Sequence, residues 1–109
     1  MSKLESSLET SFNGKAVKYR FLSLKLVALS RRGFPDRTCL GKYCHVFFVE
    51  LKRLGKKPEP HQKYWHKLLR KLGFRVYVCD NKEEAEKIFK YEAEVVRPRL
   101  SKRKHIKGI

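Results

Sequence analysis

Three polar groups recur in an order that suits hydrolysis of a phosphodiester: Asp36 after Pro35, Glu50 and Lys52 separated by one residue at the end of an apolar run, and Gln62. An aspartate and a Glu-x-Lys can hold a divalent cation against a phosphate and leave an ammonium beside the attacking water. Magnesium favours one or two carboxylates plus waters and phosphate oxygens over a closed protein cage, so Asp36 and Glu50 suffice as side-chain ligands. Two carboxylates facing each other would repel, and a bound cation is the natural compensation. Each dipeptide alone also has a plain reading, since Pro-Asp is common in turns and Glu50 with Lys52 can be an ordinary same-face ion pair.

These residues must be positioned by particular elements. Residues 43–52 form the clearest strand, in which a period of two puts Val46, Phe48, Glu50 and Lys52 on one face and Phe47, Val49 and Leu51 on the other. Glu50 and Lys52 then point into one space, and His45 points away from it. Pro35 can begin a strand but not sit centrally in one, so Asp36 opens a short strand over 36–40 that turns at Gly41-Lys42 and returns beside Glu50. Gln62 lies one residue into a helix over 61–72, with Trp65, Leu68, Leu69 and Leu72 on its apolar side and Gly73 as its stop. His66 follows one turn after Gln62 on the same face.

The rest of the chain completes an order αβββαβα. Leu4, Leu8 and Phe12 are four apart, as are Glu5 and Glu9, predicting a first helix over 2–12 that ends at Asn13-Gly14. Alternation predicts a strand over 19–27, a β-rich run over 74–79 and a last helix over 82–92. Trp65, Phe47, Phe74 and Phe89 fall on buried periodicity and are expected in the core, not as platforms for stacked bases.

Composition bounds the partners. The chain has 109 residues, enough for one domain with a modest core, and a formal charge of +16, which favours polyanions and above all nucleic acid. A basic tail over 93–109 follows the domain predicted over 1–92. Cys39, Cys44 and Cys79 have no C-x-x-C spacing and are expected reduced, without disulfide or zinc. The start carries an acid where a signal peptide needs an apolar core, and residues 21–29 are too short and are broken by Lys25, so the expectation is a cytoplasmic chain, neither secreted nor embedded in a membrane. Arg31, Arg32, Arg37, Arg53, Lys56 and Lys57 flank the site at turn and loop positions, where they would position DNA without reading its sequence. No recognition helix or zinc finger is legible, which argues for structure-selective over sequence-specific cutting.

Arg32-Gly33-Phe34-Pro35-Asp36-Arg37, Phe48-Val49-Glu50-Leu51-Lys52 and Gly55-Lys56-Lys57-Pro58, with Gln62, His66, Leu69 and the 72–78 run, resemble the virus-type replication-repair nuclease domain, VRR-NUC, of the PD-(D/E)XK superfamily. The resemblance runs from Leu4 to about Phe89 and leaves the basic tail unmatched. It implies a restriction-endonuclease-like α/β fold, a mixed sheet of about four strands flanked by helices. It also implies a Mg²⁺- or Mn²⁺-dependent DNA endonuclease in which the Leu51 backbone carbonyl joins Asp36 and Glu50 as a ligand and Gln62 faces the active centre. Leu4-Glu5-Ser6 resembles the family's N-terminal helix motif, so Glu5 is favoured over Glu9 as the additional acid, while His66 is either a contact to the scissile phosphate or a solvated or core-edge histidine. Stand-alone members of the family look like homodimers acting on branched DNA such as Holliday junctions, and the resemblance suggests a phage or other mobile-element origin, hence the host cytoplasm. Flap or nick cleavage, a restriction-type nuclease and a non-catalytic basic nucleic-acid binder are the alternatives.

Overall fold

The computed structural model describes residues 3–26 and 33–96, with side chains over 6–95. The expected order is found: α1 Lys3–Lys18, β1 Leu22–Lys25, β2 Arg37–Gly41, β3 His45–Leu51, α2 Pro60–Lys71, β4 Arg75–Cys79 and α3 Lys82–Val96. The four strands form one mixed sheet in the order β1-β2-β3-β4, antiparallel at the first two junctions and parallel between β3 and β4. The parallel pair requires a crossover, and α2 supplies it.

The period-two reading of β3 holds. Phe47, Val49 and Leu51 pack with Leu8, Phe12 and Ala16 of α1 and with Ala85, Ile88 and Phe89 of α3. Val46 and Phe48 face the other way, toward Leu69 of α2 and Val76 of β4. On the first side Phe89 is the hub, its ring centroid 4.7 Å from that of Phe12 and 5.8 Å from those of Phe21 and Phe47. Helices therefore cover both faces, as an α/β layer arrangement with a restriction-endonuclease-like element order demands.

The first helix does not stop at Asn13-Gly14. Ala16 is fully buried one turn beyond Phe12, and this packing outweighs the roughly 1 kcal/mol that glycine costs inside a helix. The helix ends instead at Arg20, which takes the left-handed φ of 65°, while Phe21 N–H donates to Ala16 O and Arg20 N–H to Val17 O. That is the Schellman pattern with arginine where glycine is usual. The strand expected over 19–27 is accordingly confined to Leu22–Lys25 among the described residues. Gly73 does stop α2, with φ 98° and the same pair of bonds, Phe74 N–H to Leu69 O and Gly73 N–H to Arg70 O.

The third strand starts at His45, not at residue 43, because Tyr43 and Cys44 turn the β2–β3 hairpin with φ 62° each. Cys44 is thereby exposed in a turn, whereas Cys39 and Cys79 are buried; all three are free thiols, and burial pushes Cys39 up to about 12 and Cys79 to about 11. Leu72 is 67% exposed at the end of α2 instead of lying on its buried side. The last helix continues past residue 92 to Val96, its start capped by Asn81, whose Oδ1 accepts from Glu84 N–H at 2.7 Å. The basic residues beyond Val96 lie outside the described residues. No helix among those described is long and apolar enough to cross a membrane.

Candidate active site

Three local features bring Asp36 and Glu50 together. Gly33, at φ 93°, lies so close to the start of α2 that a Cβ there would sit 2.7 Å from the His61 carbonyl oxygen. Phe34 then inserts edge-on against Phe48 and Trp65, each with ring centroids 5.5 Å away; Trp65 is thus half-buried under this arm, not fully enclosed. Pro35 is fully buried, and the register of Arg37 opposite Val49 places Asp36 across from Glu50.

The two carboxyl groups share the inner end of a cleft of about 170 Å³ lined by Glu9, Lys25, Asp36, Arg37, Glu50, Leu51, Lys52 and Gln62. Asp36 Oδ2 accepts from Leu51 N–H at 3.0 Å. Burial, then the hydrogen bond and charge of Glu50, push Asp36 up to about 7 against the pull of Leu51 N–H and Lys52. Burial likewise raises Glu50, which is 1% exposed, although Asp36 and Lys52 oppose the rise. Without a cation, then, burial and the charge of Glu50 favour the protonated form of Asp36 up to about pH 7.

Gln62 has two tasks. Its Oε1 accepts from Glu59 N–H at 2.9 Å at the head of α2, while its Nε2 donates to Glu50 Oε2 at 3.3 Å. Pro60 at the first position of α2 fixes the entry of that helix. Lys52 N–H donates to Cys79 O at 2.9 Å, so the backbone carrying the ammonium is held to β4 as β3 ends.

Other expected residues are placed differently. Arg37, expected on a flexible turn, is 5% exposed within β2 and its guanidinium pairs with Glu9. Strand pairing to both β1 and β3 draws it inward, and the helix acid neutralises it. His66, open between a phosphate contact and a solvated or core-edge position, is 3% exposed on the inner side of α2, its Nε2 3.5 Å from Glu50 Oε1. Burial, followed by the charges of Arg70 and Lys52, lowers its pKa despite Asp36 and keeps the ring neutral. Arg53, Lys56 and Lys57 are exposed on the loop after Lys52, which Gly55 N–H ties to Asp80 Oδ2 at 3.2 Å. Glu9 lies in the cleft; the side chain of Glu5, and Arg31 and Arg32, lie outside the described residues.

Two positions escaped the sequence. Lys25 reaches the cleft because it pairs with Arg37 at the end of β1; only strand register reveals that. Glu92, on the opposite side of the sheet, is fully buried and receives Arg75 Nε at 2.5 Å, His45 Nε2 at 2.5 Å and the Tyr77 hydroxyl. Burial favours its neutral form, but Arg75, Tyr77 and His45 outweigh burial and hold its carboxyl below the usual range. It anchors α3 to β3 and β4 and stands apart from the cleft.

Among the described residues, no three His, Cys, Asp or Glu side chains cluster closely enough to cage a metal. Comparison with protein-family models gives no match, and comparison with curated proteins gives none at this level of similarity either. A solved structure described as a VRR_NUC domain superposes with a TM-score of 0.76 at 26% identity, over 83% of this chain and 98% of that one. This likeness in fold and coverage supports a VRR-NUC domain and with it suggests a nuclease domain.

Proposed function

We propose that the protein is a divalent-metal-dependent, structure-selective DNA endonuclease that hydrolyses phosphodiester bonds in branched DNA such as four-way junctions. The observation that carries this reading is the buried Asp36–Glu50 pair facing Lys52 in one cleft, both carboxyl groups raised by burial. A site where burial disfavours the charge of two neighbouring carboxylates is one that a cation's charge would relieve. Two carboxylates fall short of a zinc-type cage but match magnesium or manganese, which retain waters and take phosphate oxygens as ligands.

Asp36, Glu50 and the Leu51 backbone carbonyl would hold Mg²⁺ or Mn²⁺, with Glu5 or Glu9 as the acid from α1. When bound, the ion supplies a Lewis acid that polarises the phosphoryl oxygen and a lowered pKa for the attacking water. Lys52 places its ammonium where negative charge grows on the phosphate and can orient the water. Gln62 fixes the Glu50 carboxylate through Oε2. Arg37, neutralised by Glu9, gives the cleft a rigid wall, and exposed Arg53, Lys56 and Lys57 hold the duplex backbone without reading bases. In-line attack would leave 5′-phosphate and 3′-hydroxyl ends.

Branched DNA and a homodimer belong together in this reading, since two-fold pairing sets two sites on two strands. The reading also takes the cytoplasm as the working compartment, that of the host if the chain is phage-encoded. Cleavage of labelled four-way junction, flap, nicked and linear duplex with Mg²⁺, Mn²⁺ or chelator, wild type beside Asp36→Ala, tests it. The expected result is metal-dependent cutting of the junction that the variant loses. Binding without cutting under every condition would leave a non-catalytic binder, and cutting of linear duplex at one sequence would make it restriction-type.

A further inference from the structure

Glu50 is approached from α2 by two side chains one helical turn apart, Gln62 and His66. Gln62 Nε2 donates to Oε2. The other oxygen, Oε1, lies 3.5 Å from His66 Nε2, and each of these two atoms is buried with no hydrogen-bond partner. Buried polar atoms are almost always paired, and two unpaired ones of matching character facing each other at the outer limit of a hydrogen bond point to a contact that closes in the working state. At 3% exposure His66 has no surface to offer a phosphate. Its neighbour on the inner side of α2 is Leu69, packed with Phe48 and Val76, so a histidine here lies beside apolar packing.

We propose that His66 is a positioning residue for Glu50, its ring carrying a proton on Nε2 and donating it to Glu50 Oε1, so that the carboxylate is held from behind at both oxygens. The remaining lone pairs of the carboxylate then face the cleft in one fixed orientation. This deepens the reading of Glu50 as a divalent-cation ligand and rests on it. Carboxylates that bind metals are ordinarily fixed by such outer partners, and losing one weakens metal binding by about 10- to 100-fold.

The test is calorimetric titration of Mn²⁺ and Ca²⁺ into the full chain and into His66→Leu and His66→Gln, with thermal unfolding of each in chelator. His66→Leu is expected to bind at least about tenfold more weakly, while His66→Gln, whose amide can donate to the same oxygen, recovers most of the loss. Equal binding by wild type and a folded His66→Leu overturns the proposal and leaves Glu50 a ligand. Absence of binding by the wild type overturns the cation reading itself and the proposal with it. Nitrogen-15 spectra of histidine-labelled protein give a second readout that holds even if His66→Leu fails to fold. The His66 signals, assigned by their loss in His66→Gln, are expected to show the Nε2-protonated tautomer and to move in Glu50→Gln; an Nδ1-protonated ring overturns the proposal.

Discussion

Replacing Asp36 with asparagine should stabilise the cation-free protein at alkaline pH while abolishing its activity. Asparagine keeps an oxygen to accept from Leu51 N–H, and its amide donates to Glu50 as the protonated acid does. It therefore imitates protonated Asp36 at every pH. The folded pKa of Asp36 is raised from 3.8 to about 7, so between these values the folded state holds a proton the unfolded state has released. Wild-type stability from this group is thus full below pH 4 and falls as pH rises through about 7. Three units at about 1.4 kcal/mol each set an upper bound of about 4 kcal/mol, of which roughly 2–4 should be realised at pH 8. For a domain of this size that is roughly 8–16 °C in melting temperature. The assay is thermal unfolding of both proteins at pH 5 and pH 8, in chelator and in Mg²⁺. The variant should melt above the wild type by about 1–2 kcal/mol already at pH 5, where the unfolded aspartate is ionised, and by the full amount at pH 8 in chelator, and Mg²⁺ should raise only the wild type. A gap of the same size at both pH values would have nothing to do with a carboxylate forced to ionise beside Glu50, and would show that Asp36 is not raised in the folded state.

The other expectations concern charge and packing. Lys52→Ala should bind DNA but cut it about 10²- to 10³-fold more slowly, the usual loss for one group facing transition-state charge; equal loss of binding and cutting would make Lys52 a mere anchor. Junction affinity should fall with salt at about 0.9 log units per phosphate contact per log unit of salt, and Arg53→Ala, Lys56→Ala and Lys57→Ala should each lower that slope, by up to about one contact. Filter binding over a salt series decides this. Glu92→Ala should cost about 3–5 kcal/mol in urea unfolding, because it strands Arg75, His45 and Tyr77 around an empty buried position. A loss under 1 kcal/mol would show that the network carries little of the fold.

What could be read from the residues and what could not divides along locality. Pro35 and the alternation of β3 are local signals, and they placed Asp36 opposite Glu50 and turned Glu50 away from Phe47 and Val49. Gln62 and Gly73 are local as well, one at the head and one at the end of α2. The passage of α1 through Gly14 was not legible, because it depends on Ala16 meeting a core made by residues some 70 positions later. Arg37 looked like a surface cation until its burial between two strands and its pairing with Glu9, 28 residues away, were seen. Lys25 needed the β1–β2 register, and Glu92 needed three partners from two strands. His66 shares the helix face of Gln62 as expected, but only the approach of α2 to β3 reveals that this face is closed.

If the Asp36–Glu50 pair and Lys52 form a cleft that cuts DNA, Glu50 must be needed for cutting and not for binding. Single-turnover cleavage of a labelled four-way junction in Mg²⁺ by wild type and Glu50→Gln, with junction affinity of both measured in Ca²⁺, decides this. Cutting by the wild type that the variant loses, at affinities within a few fold of each other, is the predicted result. Equal cutting by both proteins, or binding by both with no cutting by either, would contradict it.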